Sequence, residues 1–118
     1  MSEYSQGRVE RKISEAINTM IVKGEIKNPK VGKFVSVSRL EVSSDNAYAK
    51  IFISSLFDDE EKLNTSVKAL QSAAPFIQNK LARLLNTRNT PRLTFYADTS
   101  YLEAQKINSL IDSLKPKD

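Results

Sequence analysis

The sequence contains no cysteine and no histidine, and its 118 residues include only 3 glycines and 4 prolines. Without Cys or His there is no disulfide framework, no thiolate or imidazole zinc site, no Cys nucleophile and no Ser-His or Cys-His catalytic pair. Most hydrolase chemistry is excluded. Gly7, Gly24 and Gly32 are the only glycines, and none opens a helix after a strand, so a phosphate-binding loop and nucleotide hydrolysis are not expected. No apolar run approaches the ~18 residues needed to span a bilayer, and residues 1–7 are polar and lead into a charged helix. A cytoplasmic protein with no membrane partner is expected, and the lack of Cys fits a reducing compartment.

What remains is enough for one domain. With 40% hydrophobic and 27% charged residues, the chain has the composition of a single globular unit over 1–118, which should bury roughly two thirds of the unfolded surface without staples or metals.

Val9, Ile13, Ala16, Ile17, Met20 and Ile21 form one stripe of an α-helix that Gly24 ends. Lys23-Gly-Glu-Ile-Lys-Asn-Pro-Lys-Val-Gly-Lys33 then reads as an exposed basic loop. Residues 34–42 and 47–55 alternate with period two and flank Ser43-Ser-Asp-Asn46, so an antiparallel hairpin is expected. Ala49, Ile51 and Ile53 share one of its faces; Tyr48, Lys50 and Phe52 share the other. Aromatics beside a lysine could stack on bases, but burial of Phe52 beneath a helix is the expected role, since a small sheet needs cover.

Asp58-Asp-Glu-Glu61 suits the positive end of a helix dipole better than a Mg²⁺ site, because adjacent exposed carboxylates do not converge. Leu63, Val67, Leu70, Ala73 and Ala74 make an apolar stripe, and Phe76, Ile77, Leu81, Leu84 and Leu85 make a second. Pro75 stands between them, so two helices joined by a kink at Ala74-Pro75 are expected. A loop over residues 87–92, a third strand carrying Leu93, Phe95 and Ala97, and a last helix through Leu102, Ile107, Leu110, Ile111 and Leu114 complete an α+β order of αββααβα.

Charge is unevenly placed. Residues 1–33 carry a net +3, residues 65–92 carry +5 with no acid at all, and the rest sums to −4. An acid-free stretch coinciding with the helix pair and its exit loop suits a phosphate backbone, the alternative being a solvated face with no partner. The candidate nucleic-acid-binding residues are Arg8, Arg11, Lys12, Lys27, Lys30, Lys33, Lys80, Arg83, Arg88 and Arg92.

The order of elements and several local stretches together resemble the ribosome-binding factor A family. Those stretches are Arg8-Val-Glu-Arg11, Ile26-Lys-Asn-Pro-Lys-Val-Gly32, Phe34-Val-Ser-Val, Tyr48-Ala-Lys-Ile, Ala73-Ala-Pro-Phe-Ile77 with Leu81, and Thr90-Pro-Arg-Leu-Thr-Phe95 followed by Asp98. The resemblance covers nearly the whole chain. It implies a type II KH-like domain that binds the immature small (30S) ribosomal subunit and assists late maturation of its 16S rRNA, notably at low temperature. It implies no enzyme activity and no cofactor. Such domains replace the Gly-x-x-Gly loop of ordinary KH folds by a helix-kink-helix carrying Ala-x-Gly, and this sequence has no Gly-x-x-Gly. Ala73-Ala74-Pro75 occupies that position, with Pro75 where the family usually has Gly; the kink is implied, a backbone contact with RNA at residue 75 is not. A monomer is expected. The rival reading from another class is a protein-protein adaptor docking a partner through its hairpin edge or last helix.

Overall fold

The computed structural model describes residues 2–32, 34–56, 59–85 and 90–100, with side chains from residue 7 onward. Its elements run α1 (Ser2–Val22), β1 (Val35–Val42), β2 (Tyr48–Ser55), α2 (Glu60–Ser72), α3 (Ala74–Leu85) and β3 (Arg92–Ala97). The last helix expected through Leu102 and Leu114 lies outside the described residues, as do Lys33, Asp58 and Arg88. Among the described residues no helix is long and apolar enough to cross a membrane.

The sheet order is β1-β2-β3, with β1 antiparallel and β3 parallel to β2. A parallel neighbour needs a crossover, and α2 with α3 supplies it. Asn46, at φ 59°, takes the left-handed turn position of the hairpin, where Asn is tolerated, and the Ser43 hydroxyl accepts from the Ala47 and Tyr48 N–H groups. β1 carries a bulge. Val37 pairs with Ile53 but Arg39 with Phe52, so Ser38 is the extra residue, and the inward set changes from Val35 and Val37 to Leu40 and Val42. The Ser38 hydroxyl donates to Asp98 Oδ2 at 2.6 Å, tying the bulge to the end of β3.

Three helices cover one face of the sheet. Ile13, Ile17 and Met20 of α1, Leu63 and Leu70 of α2, and Ile77 and Leu81 of α3 pack on Ile51, Ile53, Leu93 and Phe95 in one apolar cluster. Phe52 is not beneath a helix. It pairs with Arg39 and Tyr96 on the opposite face, half-buried under the Arg39 guanidinium and the Tyr96 ring. Strand alternation puts it there once Ile51 and Ile53 face the helices.

The helix break falls at Ala73, one residue before the expected position. A continuous helix would need the Pro75 N–H to reach the Gln71 carbonyl, and proline has none. The Ala73 N–H therefore closes α2 on the Ala69 carbonyl at 3.1 Å, and the Ala73 carbonyl accepts from the Ile77 N–H at 3.0 Å to open α3. Pro75 then sits in the first turn of α3, where an N–H would be unpaired anyway. At the start of α2, Asp59 accepts from the Lys62 N–H at 2.8 Å, and Glu60 and Glu61 follow in the first turn.

Side-chain amides engage both outer strands. On β3 the Gln71 amide donates to the Leu93 carbonyl at 3.3 Å and accepts from the Phe95 N–H at 2.8 Å, imitating one rung of a strand. On β1 the Val37 N–H donates to Asn18 Oδ1 at 2.8 Å. Gln71→Ala is expected to lower stability by about 1–2 kcal/mol, roughly 1 for each hydrogen bond removed. Urea denaturation measures it, and a change within about 0.3 kcal/mol would show that water replaces the amide without loss.

Candidate nucleic-acid interface

The end of α1 sets the geometry. Gly24, at φ 68°, lets its own N–H reach the Ile21 carbonyl at 3.1 Å while the Glu25 N–H reaches Met20 at 2.9 Å, a paired closure that favours glycine. The turn folds Glu25 back toward α3, where its carboxylate accepts a hydrogen bond from, and pairs with, Lys80. That bond holds the Glu25 carboxyl below its ordinary 4.5, helped by the charges of Lys80 and Lys23. Lys80 Nζ also lies 5.8 Å from the centre of the Phe76 ring.

Between α1 and α3 runs an open groove of about 520 Å³. Lys12 and Lys23 line it from the side of α1 and Lys80 and Arg83 from α3, Glu15 and Glu25 set two carboxylates among them, and Ala16, Met20, Leu84 and Leu85 give it apolar surface. The basic segments counted separately in the sequence thus meet across one cleft. Leu84 belongs to this groove rather than to the core: a turn beyond the buried Leu81, it is 64% exposed. Phe76 is also exposed, since Ala74, Ile77 and Leu81 take the packed face of α3 and Phe76 falls beside it.

A second basic cluster surrounds the helix break. Lys27 shares a shallow groove with Ser72, Ala73 and Phe76, and Lys30 shares the adjoining one with Thr65, Lys68 and Ser72. This loop is held in place: the Gly32 N–H donates to the buried Ser66 hydroxyl at 2.9 Å, and that hydroxyl reaches the Lys30 carbonyl at 3.4 Å. Arg8 and Arg11 are exposed on α1, outside the residues lining the groove. Arg92 is elsewhere. It opens β3 opposite Tyr48, on the sheet face turned from the helices. Lys23, Glu25, Leu84 and Lys68 are the additions that the structure makes to the candidate set. Lys23 and Lys68 had a signal in the sequence, their places in the basic loop and in the acid-free stretch, whereas Glu25 and Lys80 meet across 55 residues.

The family model for ribosome-binding factor A matches residues 5–111. The ribosome-binding factor A of Treponema denticola is 40% identical over 115 residues, spanning 98% of this chain and 86% of that protein. The crystal structure of ribosome-binding factor A from Thermus thermophilus has a TM-score of 0.64 and 23% identity over 78% of this chain and 94% of that one. A homology model of the Thermus thermophilus protein, fitted into the cryo-EM map of its complex with 30S, has a TM-score of 0.58 and 20% identity, covering 80% and 92%. The α+β fold of a three-stranded sheet and three helices is shared with these structures. The length of the family match and the 40% identity across almost all residues agree, and the chain belongs to the ribosome-binding factor A family.

Proposed function

We propose that this chain is a non-catalytic assembly factor that binds the free or immature small (30S) ribosomal subunit and assists late maturation of its 16S rRNA. It acts as a single type II KH-like domain over 1–118, as a cytoplasmic monomer without cofactor, with its largest effect at low temperature. The observation that carries this reading is the groove in which Lys12 and Lys23 face Lys80 and Arg83. Four cations outnumber the carboxylates of Glu15 and Glu25 in this cleft, an excess that attracts a phosphate backbone, and Lys27, Lys30 and Lys68 extend the positive surface past the Ala73 break. The Thermus thermophilus family member fitted into a 30S complex map supports the partner, and the helix break with no Gly-x-x-Gly supports the KH-like variant.

Affinity for purified small subunits, measured across salt, tests it. Contacts to six to ten phosphates predict a loss of about a thousandfold or more between roughly 50 and 200 mM salt. A nearly flat response would favour the adaptor reading instead.

Glu25 opposes this function by occupying Lys80. Glu25→Gln removes one negative charge from the groove and leaves Lys80 for phosphate, so tighter subunit binding by severalfold and a salt slope steeper by about one are expected. Weaker binding in a variant of native stability would mean that the ion pair positions Lys80 rather than competing for it.

A further inference from the structure

The sheet face turned away from the three helices carries no aliphatic side chain among the described strand residues. The strand registers align Arg39, Phe52 and Tyr96 in one row, Tyr48 and Arg92 in another, and place Lys50 between them. Phe52 and Tyr96 stack with ring centres 5.4 Å apart and planes 25° from parallel. The Arg39 guanidinium lies 4.2 Å above the Phe52 ring. Tyr48 is 58% and Tyr96 40% exposed, so the two rings offer area to solvent although the core has its own apolar cluster. The other outward positions hold serine, threonine and Glu41.

Exposed rings interleaved with cations suit one ligand chemistry in particular. Bases stack on aromatic faces whatever their sequence, while arginine and lysine meet the phosphates between them. Arg39, Lys50 and Arg92 supply three positive charges against Glu41, and Asp98 at the border is engaged by Ser38 and by the Ser100 N–H. Tyr48 and Phe52 are four residues apart, which is about 13 Å along β2. A short extended strand of nucleic acid bridges that span.

We propose that this outer sheet face is a second RNA-contacting surface, separate from the groove between α1 and α3, that holds a single-stranded segment by stacking bases on Tyr48 and on the Tyr96–Phe52 pair. It rests on the ribosomal reading for the source of the RNA, and adds the ligand class and the residues that hold it.

The test titrates the full chain with labelled oligo(U) of about ten nucleotides and with a duplex of equal length, alongside sedimentation with small subunits. The Tyr48→Leu/Tyr96→Leu variant is expected to lose about tenfold or more in oligo(U) affinity, with Tyr48→Phe/Tyr96→Phe binding like the parent and the duplex bound more weakly than the single strand. Should the leucine variant melt early, Tyr48→Ser, at the more exposed ring, gives the same reading for one stacked base. Oligo(U) affinity that is unchanged by loss of the rings, or lost only when Arg83 is reversed, overturns the proposal and leaves subunit binding through the groove intact. Ring-dependent binding of oligo(U) by a protein that ignores the subunit would support this surface and sink the ribosomal reading.

Discussion

Lys12→Glu combined with Arg83→Glu is expected to weaken small-subunit binding roughly a hundredfold near 0.1 M salt while leaving the fold intact. The two residues line one groove from opposite helices, and both side chains are solvent-accessible. Reversal removes an attraction and adds a repulsion at each position, and Coulomb energies near the surface are about 1 kcal/mol or more per charge pair at hydrogen-bonding distance. Two such changes give about two orders of magnitude. The salt slope should fall by about two, one for each phosphate that the variant no longer neutralises. Stability should change little, because exposed pairs on a helix are worth only about 0.2–0.5 kcal/mol. Native-like affinity in a well-folded double variant would remove this groove from the interface.

Leu81→Ala carries the largest expected effect on stability, with Leu70→Ala beside it. Both side chains are fully buried where α2 and α3 meet the sheet. Each truncation should cost about 2–5 kcal/mol, from reduced burial and from the cavity left behind. Against a total of about 5–15 kcal/mol for a domain of this kind, either variant approaches the threshold of unfolding. Chemical denaturation of the purified variants decides it. A loss within about 0.5 kcal/mol would mean that the helical phase places that leucine at the surface.

The contrast between Leu81 and Leu84 shows how far periodicity reaches. The stripes of α1 and α2 were legible because Ile13, Ile17, Met20, Leu63 and Leu70 repeat at helical spacing and are buried at that spacing. Leu84 fits the same period. It is exposed because the packed row of α3 is Ala74, Ile77 and Leu81 with Leu85 against the core, which leaves Leu84 at the edge of that row facing the groove, and spacing carries no information about which edge of a stripe a neighbour covers. The hairpin was legible from alternation and turn residues, while its bulge had a signal in the slip from Val35 and Val37 to Leu40 and Val42. Phe52 shows the opposite failure. Its burial beneath a helix was expected from the need to cover a small sheet, yet Lys50 in the same outward row marked that face as open to water.

The candidate site divides in the same way. Positive charge near α1 and α3 could be counted, but its meeting across one groove depends on tertiary packing, and so does the pairing of Glu25 with Lys80. The break between α2 and α3 followed from one missing N–H at Pro75, and it fell a residue early because the first turn of a helix tolerates proline. The parallel placement of β3 had its signal only in the helix pair that separates it from β2 and is long enough for a crossover.

Sedimentation of the purified protein through sucrose gradients, with free small subunits in one tube and translating ribosomes in another, tests the central claim most directly. Binding through the basic groove to an assembling particle predicts that the protein travels with the free small subunit and stays at the top of the gradient when offered translating ribosomes. Failure to travel with the small subunit, or equal recovery with both particles, would contradict it.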